Sequence, residues 1–214
     1  MPSANVLVDV DDTLSGTQRL FLAHANRDNP GRFRYQDFTS FDRETPGEWD
    51  GIVQGLLARP EVIVRTKPFA GALDGLRRLH EAGFKIHIAS SRKENLHRTT
   101  KDWLEKYGLA RYVEEVHGRP SSMSGDEFKL AVANQIDAAA AFDDTKAVAE
   151  SLARNKVHVY LVRRPWNRDL PQGPWIKPCR SFQRGVIAFL GSSDTEQCKM
   201  QDASALREPS ARTS

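Results

Sequence analysis

Short apolar runs alternate with helix-length segments along this chain, and several of the runs end in acidic or hydroxyl clusters. This alternation limits the fold more than any other feature. Residues 6–10 are apolar and β-branched apart from Asp9, and lead into Asp11-Asp12-Thr13-Leu14. Residues 84–89 lead into Ser90-Ser91-Arg92, and residues 138–142 into Asp143-Asp144-Thr145. Residues 113–116 and 157–162 supply two further strand-like runs. Between them, Ala72, Leu73, Leu76 and Leu79 share a helical face, and Gly83 stops that helix. Residues 94–107 read as a helix closed by Gly108; residues 126–135 and 146–154 read as two more. The expected fold is α/β, a Rossmann-like parallel sheet with helices on both faces. Such sheets bind ligands beyond the carboxyl ends of their strands, where these clusters lie.

Two regions break the alternation. Residues 16–66 are irregular and aromatic-rich, with candidate helices at 18–26 and 48–58 and turn signals at Asn29-Pro30-Gly31 and Thr45-Pro46-Gly47. Residues 163–180 are rich in proline and tryptophan and read as a loop packed back on the body. Residues 182–190 read as a last apolar helix or strand. From about residue 191 the chain is polar and Ser-rich, the composition of a disordered tail. The expected organisation is therefore a core from 1–15 and 67–191, a small helical insertion over 16–66, and a tail over 192–214.

Composition excludes several classes. With 39% hydrophobic and 28% charged residues the chain is ordinary globular material. No apolar run approaches the roughly 20 residues that span a bilayer. Residues 1–5 contain no basic region leading into a signal core, so a cytoplasmic location is expected. A net charge of +3 is too small and dispersed to argue for nucleic acid. Cys179 and Cys198 lack a metal-ligand spacing and read as reduced thiols.

Asp9, Asp11, Asp143 and Asp144 converge on neighbouring strand ends in this reading, where their charges would repel. A divalent cation relieves that repulsion, and all-oxygen ligation suits magnesium. A carboxylate can attack phosphorus covalently, and a second one nearby can move the proton. Ser90 can donate a hydrogen bond to a phosphoryl group, and Lys129 can supply positive charge to it.

The segment from Asp9 to Thr13 resembles motif I of the haloacid dehalogenase superfamily. Ser90 resembles its motif II, Lys129 its motif III, and Asp143-Asp144 its motif IV, in the same order. The resemblance implies phosphoryl transfer through Asp9, with Asp11 as general acid/base. It implies Mg2+ held by Asp9, the main-chain carbonyl of Asp11 and Asp143, with Asp144 helping directly or through water. Thr13, Ser90, Ser91 and Lys129 would bind phosphate, although Thr13 could equally serve only the turn. Many members carry glycine where Asp12 stands, and Asp12 receives no catalytic role.

The insertion over residues 16–66 resembles the small cap that related enzymes place over the site, which favours a small phosphorylated substrate. Phe38, Phe41 and Trp49 would either stack on a planar group of that substrate or form the cap's own core, and Arg92 is a further candidate contact. Arg164-Pro165-Trp166-Asn167, together with the aromatic cap, resembles the 5′(3′)-deoxyribonucleotidase branch, implying a nucleoside 5′-monophosphate. A sugar phosphate is the alternative. So is a polynucleotide 3′-phosphate, since Ser90-Ser91-Arg92 is also similar to motif II there. A non-catalytic binding module is a third class, which the intact acidic set disfavours.

Overall fold

A computed structural model of the chain describes residues 4–28, 30–38, 48–170 and 173–192. Six strands, β1 (Asn5–Val8), β2 (Lys85–Lys93), β3 (Glu115–Arg119), β4 (Ala138–Asp143), β5 (His158–Val162) and β6 (Ile176–Cys179), form one sheet. Their order is β3-β2-β1-β4-β5-β6, and every pairing is parallel. The order reverses between β1 and β4. A crevice opens at such a switch point because the flanking connections leave toward opposite faces.

The strands are covered on both sides, and their side chains divide with period two. Val6 and Val8 of β1, Ile86 and Ile88 of β2, and Phe142 of β4 pack on one face. There they meet Leu76 and Leu79 of α4 (Ala72–Glu81), Trp103 of α5 (His97–Lys106), and Val186 and Phe189 of α8 (Phe182–Leu190). Leu7, Ala89, Ala141 and Val159 point to the other face, against α6 (Gly125–Gln135) and α7 (Lys146–Arg154). Each fully buried aliphatic side chain contributes about 1.5–3 kcal/mol. The ring of Phe182 lies where a Cβ on Gly75 would stand, 2.5 Å away, so α4 and α8 approach closely only because residue 75 is glycine.

Residues between β1 and α4 form a separate helical layer of α1 (Thr17–Ala25), α2 (Glu48–Leu57) and α3 (Pro60–Ile63). Phe21, Leu56 and Ile63 are its buried centre.

Local expectations need four corrections. Residues 163–180 are not simply a loop. They contain a 3-10 turn at Pro165–Asn167 and the edge strand β6. Pro178 hid that strand, but an edge strand can spare one N–H from the ladder. Strand β2 continues through Ser90, Ser91 and Arg92 to Lys93, with irregular register against β3 after Ala89. The helix over 94–107 is a 3-10 turn, Glu94–Leu96, followed by α5. Strand β3 starts at Glu115 rather than at residue 113. Phe41, the turn at residues 45–47, Cys198 and the tail from residue 193 lie outside the described residues. No helix among the described residues is long and apolar enough to cross a membrane.

Candidate active site

Asp9 leaves the end of β1 still held by the sheet, its N–H donating to the carbonyl of Phe142 on β4 at 3.0 Å. That register sets Asp9 beside Asp143, the last residue of β4. Lys129 joins the two: its Nζ donates to Asp9 Oδ1 at 2.7 Å and to Asp143 Oδ2 at 2.6 Å, and the side chain is 1% exposed. Helix α6 delivers it. Ser124 and Glu127 form a capping box that fixes the helix start, and Lys129 follows in the next turn.

Asp9, Asp143 and Asp144 each offer an oxygen within 4.8 Å of the others. Asp9 Oδ2 is buried with no hydrogen-bond partner. Burial and the neighbouring carboxylates push Asp9 up to about 7 although Lys129 pulls it down. Asp144 is raised well above the carboxylate range, by burial first and then by Asp9 and Asp143. An unpaired buried carboxylate oxygen beside two further carboxylates is a donor set not satisfied by protein groups. A divalent cation with oxygen ligands fits that donor set.

Asp144 is also supported from a distant segment. Trp166 Nε1 donates to Asp144 Oδ2 at 2.9 Å, and Asn167 Nδ2 donates to the Asp144 carbonyl at 2.6 Å. Asp143 Oδ1 accepts from the N–H of Thr145 at 2.8 Å. The Pro-Trp-Asn segment thus orients an acid of the cluster, a role that sequence inspection leaves open.

Asp11 stands in a different environment. Its Oδ1 accepts from Arg92 Nη2 at 2.7 Å and from Thr17 Oγ1 at 2.5 Å; its Oδ2 accepts from Arg92 Nε at 2.9 Å and from Ser90 Oγ at 3.2 Å. Burial alone would raise its pKa. The charge and hydrogen bonds of Arg92, with those of Thr17 and Ser90, outweigh burial and hold Asp11 below the ordinary carboxylate value. In this arrangement Asp11 is an ionised base.

Asp12 adopts a positive φ of 56°, a conformation that glycine takes without strain and that aspartate tolerates better than most residues. Its Oδ2 accepts from the N–H of Gln18 at 2.9 Å, satisfying a donor in the first turn of α1. Arg164 Nε donates to its carbonyl at 2.8 Å, and the guanidinium lies over the ring of Phe69. The Thr13 hydroxyl is buried without a partner.

A cavity of about 360 Å³ opens between the strand ends and the helical layer, next to Asp11. Its core side carries Arg92, Lys93 and Arg119; its other wall carries Phe21 and Leu57 of the helical layer. Ser91 lines it, and the Ser91 carbonyl accepts from Arg119 Nε at 2.7 Å. Trp49 instead packs against Phe38 and Phe33, with ring centroids 4.6 and 5.1 Å away. Phe38 and Trp49 are therefore spent on each other within the helical layer, and neither lines this cavity. Thr17 joins the site without having been singled out in the sequence. Arg164, Trp166 and Asn167 belong to the Arg-Pro-Trp-Asn segment noted in the sequence, which left open what they touch.

No protein-family model matches the sequence, and no curated protein matches it. Solved structures do match the fold. CbbY from Rhodobacter sphaeroides in complex with phosphate superposes with TM-score 0.59 at 14% identity, covering 87% of this chain and all of that one (100%). L-2-haloacid dehalogenase from Xanthobacter autotrophicus gives 0.60 at 12%, covering 89% and 99%. Protein Tyrosine Kinase A from Mycobacterium tuberculosis gives 0.63 at 18%, covering 89% and 99%. At such identities the likeness establishes the architecture: this chain has the Rossmann-like α/β fold of haloacid dehalogenase-like proteins.

Proposed function

We propose that this chain is a magnesium-dependent phosphomonoester hydrolase whose nucleophile is Asp9, acting on a small phosphorylated metabolite, with a nucleoside 5′-monophosphate as the first choice. The observation that carries the reading is the state of Asp9. One oxygen is held by Lys129, and the other is buried and unpartnered beside two further acids.

In this mechanism Asp9 Oδ2 attacks phosphorus, forming an aspartyl phosphate as the ester P–O bond breaks. The leaving oxygen takes a proton from Asp11. Asp11 then removes a proton from water, which attacks phosphorus; the bond to Asp9 breaks and phosphate leaves. Arg92 holds Asp11 in the base form, so the acid half needs a competitor for the guanidinium. The substrate phosphate, entering beside Arg92, supplies one. Asp9, Asp143 and the main-chain carbonyl of Asp11, with Asp144 assisting, would hold a magnesium ion, which would supply charge neutralisation to the phosphoryl oxygens. Lys129 keeps Asp9 and Asp143 side by side, and Thr13, Ser90 and Ser91 remain candidate phosphate donors. Residues 16–66 act as a cap.

For the nucleotide, the support is the pairing of cationic residues with an apolar wall at Phe21 and Leu57, which suits a phosphate joined to a planar base. A sugar phosphate is the second reading, supported by the likeness to CbbY, which was also solved with xylulose-(1,5)bisphosphate. A phosphate-release screen separates the two: nucleoside monophosphates, sugar phosphates and a 3′-phosphorylated oligonucleotide, each with magnesium and with EDTA. The proposal expects magnesium-dependent release, fastest on a nucleotide, and a loss on the order of a thousandfold or more in Asp9→Asn. Silence on every substrate, or full activity in Asp9→Asn, would overturn it.

A further inference from the structure

Away from the acidic cluster, the sheet carries a second group of metal-ligating side chains. His87 of β2 pairs in register with Glu115 of β3, and Ala89 with His117, so all three polar side chains project from the same face. His87 Nδ1 lies 3.0 Å from His117 Nε2, and Glu115 Oε2 lies 3.9 and 3.7 Å from those same two nitrogens. A point equidistant from the three atoms falls about 2.1 Å from each, which matches zinc–imidazole and zinc–carboxylate bond lengths. Both imidazole side chains are 8% exposed, while the carboxylate is 57% exposed, so a fourth position opens toward solvent.

The surroundings also set the tautomer of His87. Asn5 Nδ2 donates to the carbonyl of Ile136 at 2.5 Å, which turns Asn5 Oδ1 toward His87 Nε2 at 3.2 Å. An oxygen only accepts, so Nε2 carries the proton and Nδ1 presents its lone pair to the other two groups. Metal-bound histidines are oriented in the same way, by donating the second ring N–H to a carbonyl-type oxygen. A hydrogen bond between the rings accounts for their 3.0 Å separation, and Glu115 completes a three-atom donor set around one point.

We propose that His87, Glu115 and His117 form a binding site for a divalent transition-metal ion, with zinc as the representative ion. It is separate from the all-carboxylate cluster, whose donors suit magnesium. The ion clips edge strand β3 to β2. It thereby steadies Arg119 at the end of β3, which holds the Ser91 carbonyl beside the cavity.

The test is a zinc titration of the full chain with magnesium saturating, followed by calorimetry and by the imidazole nitrogen resonances. One zinc equivalent is expected, shifting His87 Nδ1 and His117 Nε2 and raising the melting temperature. His117→Gln should abolish that equivalent, and Glu115→Gln should weaken it by about tenfold or more; far-UV circular dichroism checks that both variants fold. The resonance shifts need no variant. Zinc that leaves both histidine signals unmoved, or binds His117→Gln undiminished, belongs to the acidic cluster and overturns the assignment.

Discussion

The guanidinium of Arg92 holds both oxygens of Asp11, Nε to Oδ2 at 2.9 Å and Nη2 to Oδ1 at 2.7 Å, across 81 residues of sequence. The Arg92 side chain is 3% exposed and Thr100 Oγ1 accepts from its Nη1, so the grip is rigid as well as bidentate. This pair sets the protonation of the proposed acid/base. Burial raises Asp11 and Arg92 lowers it, with the lowering dominant. In Arg92→Ala burial is opposed only by the hydrogen bonds of Thr17 and Ser90, so the Asp11 pKa moves up. Because Asp11 must carry a proton when the ester bond breaks, the basic limb of kcat/KM against pH then moves to higher pH. A limb that stays in place would remove Arg92 from control of Asp11.

Lys129 neutralises two acids that are themselves buried. Lys129→Met keeps the apolar stem but leaves Asp9 and Asp143 facing one another. A loss of about 3–5 kcal/mol is expected at neutral pH. It should shrink in acid, where the orphaned carboxylates take up protons. Urea unfolding at two pH values measures both effects, and equal stability to the parent at neutral pH would refute them.

Trp166→Phe removes the indole N–H that Asp144 accepts while keeping an aromatic ring near Tyr35. Side chains that hydrogen-bond to a metal-binding residue typically tune metal affinity by about 10–100-fold. The magnesium concentration for half-maximal activity should rise by about tenfold, with the rate at saturating magnesium largely recovered. An unchanged magnesium requirement would separate Asp144 from the metal.

Asp12→Asn keeps an acceptor for the Gln18 N–H and a residue type that tolerates positive φ. It removes a carboxyl that burial pushes from 3.8 up to about 7. A raised folded-state pKa means the unfolded chain releases its proton first, so this group's contribution to stability falls as pH rises from about 4 to about 7. The variant's melting temperature relative to the parent should therefore climb across that window in the metal-free protein. A difference independent of pH would show that Asp12 titrates normally.

The framework of the site was legible in the sequence because its signals are local. An apolar run followed by an acid marks a strand and its carboxyl end, so Asp9 and Asp143 could be set on neighbouring strand ends. The helix read over residues 126–135 could be given Lys129. Phe38 and Trp49 were left between two readings, because an aromatic side chain looks the same in sequence whether it meets a ligand or another ring. Their contact at 4.6 Å decides for the helical layer's own packing. Strand β6 was missed because proline content masks an edge strand that needs hydrogen bonds on one side only.

By itself the sequence determined most of the core elements, the parallel α/β architecture and the acids at its switch point, since periodicity and strand-end chemistry act over a few residues. Only the tertiary structure decided what those acids touch. Arg92 reaches Asp11 across 81 residues, Trp166 reaches Asp144 across 22, and Arg164 reaches the Asp12 carbonyl across 152. The strength and protonation of a carboxylate depend on burial and on the nearest opposite charge. Both are properties of neighbours in space, and no local pattern in the chain encodes which distant side chain will arrive.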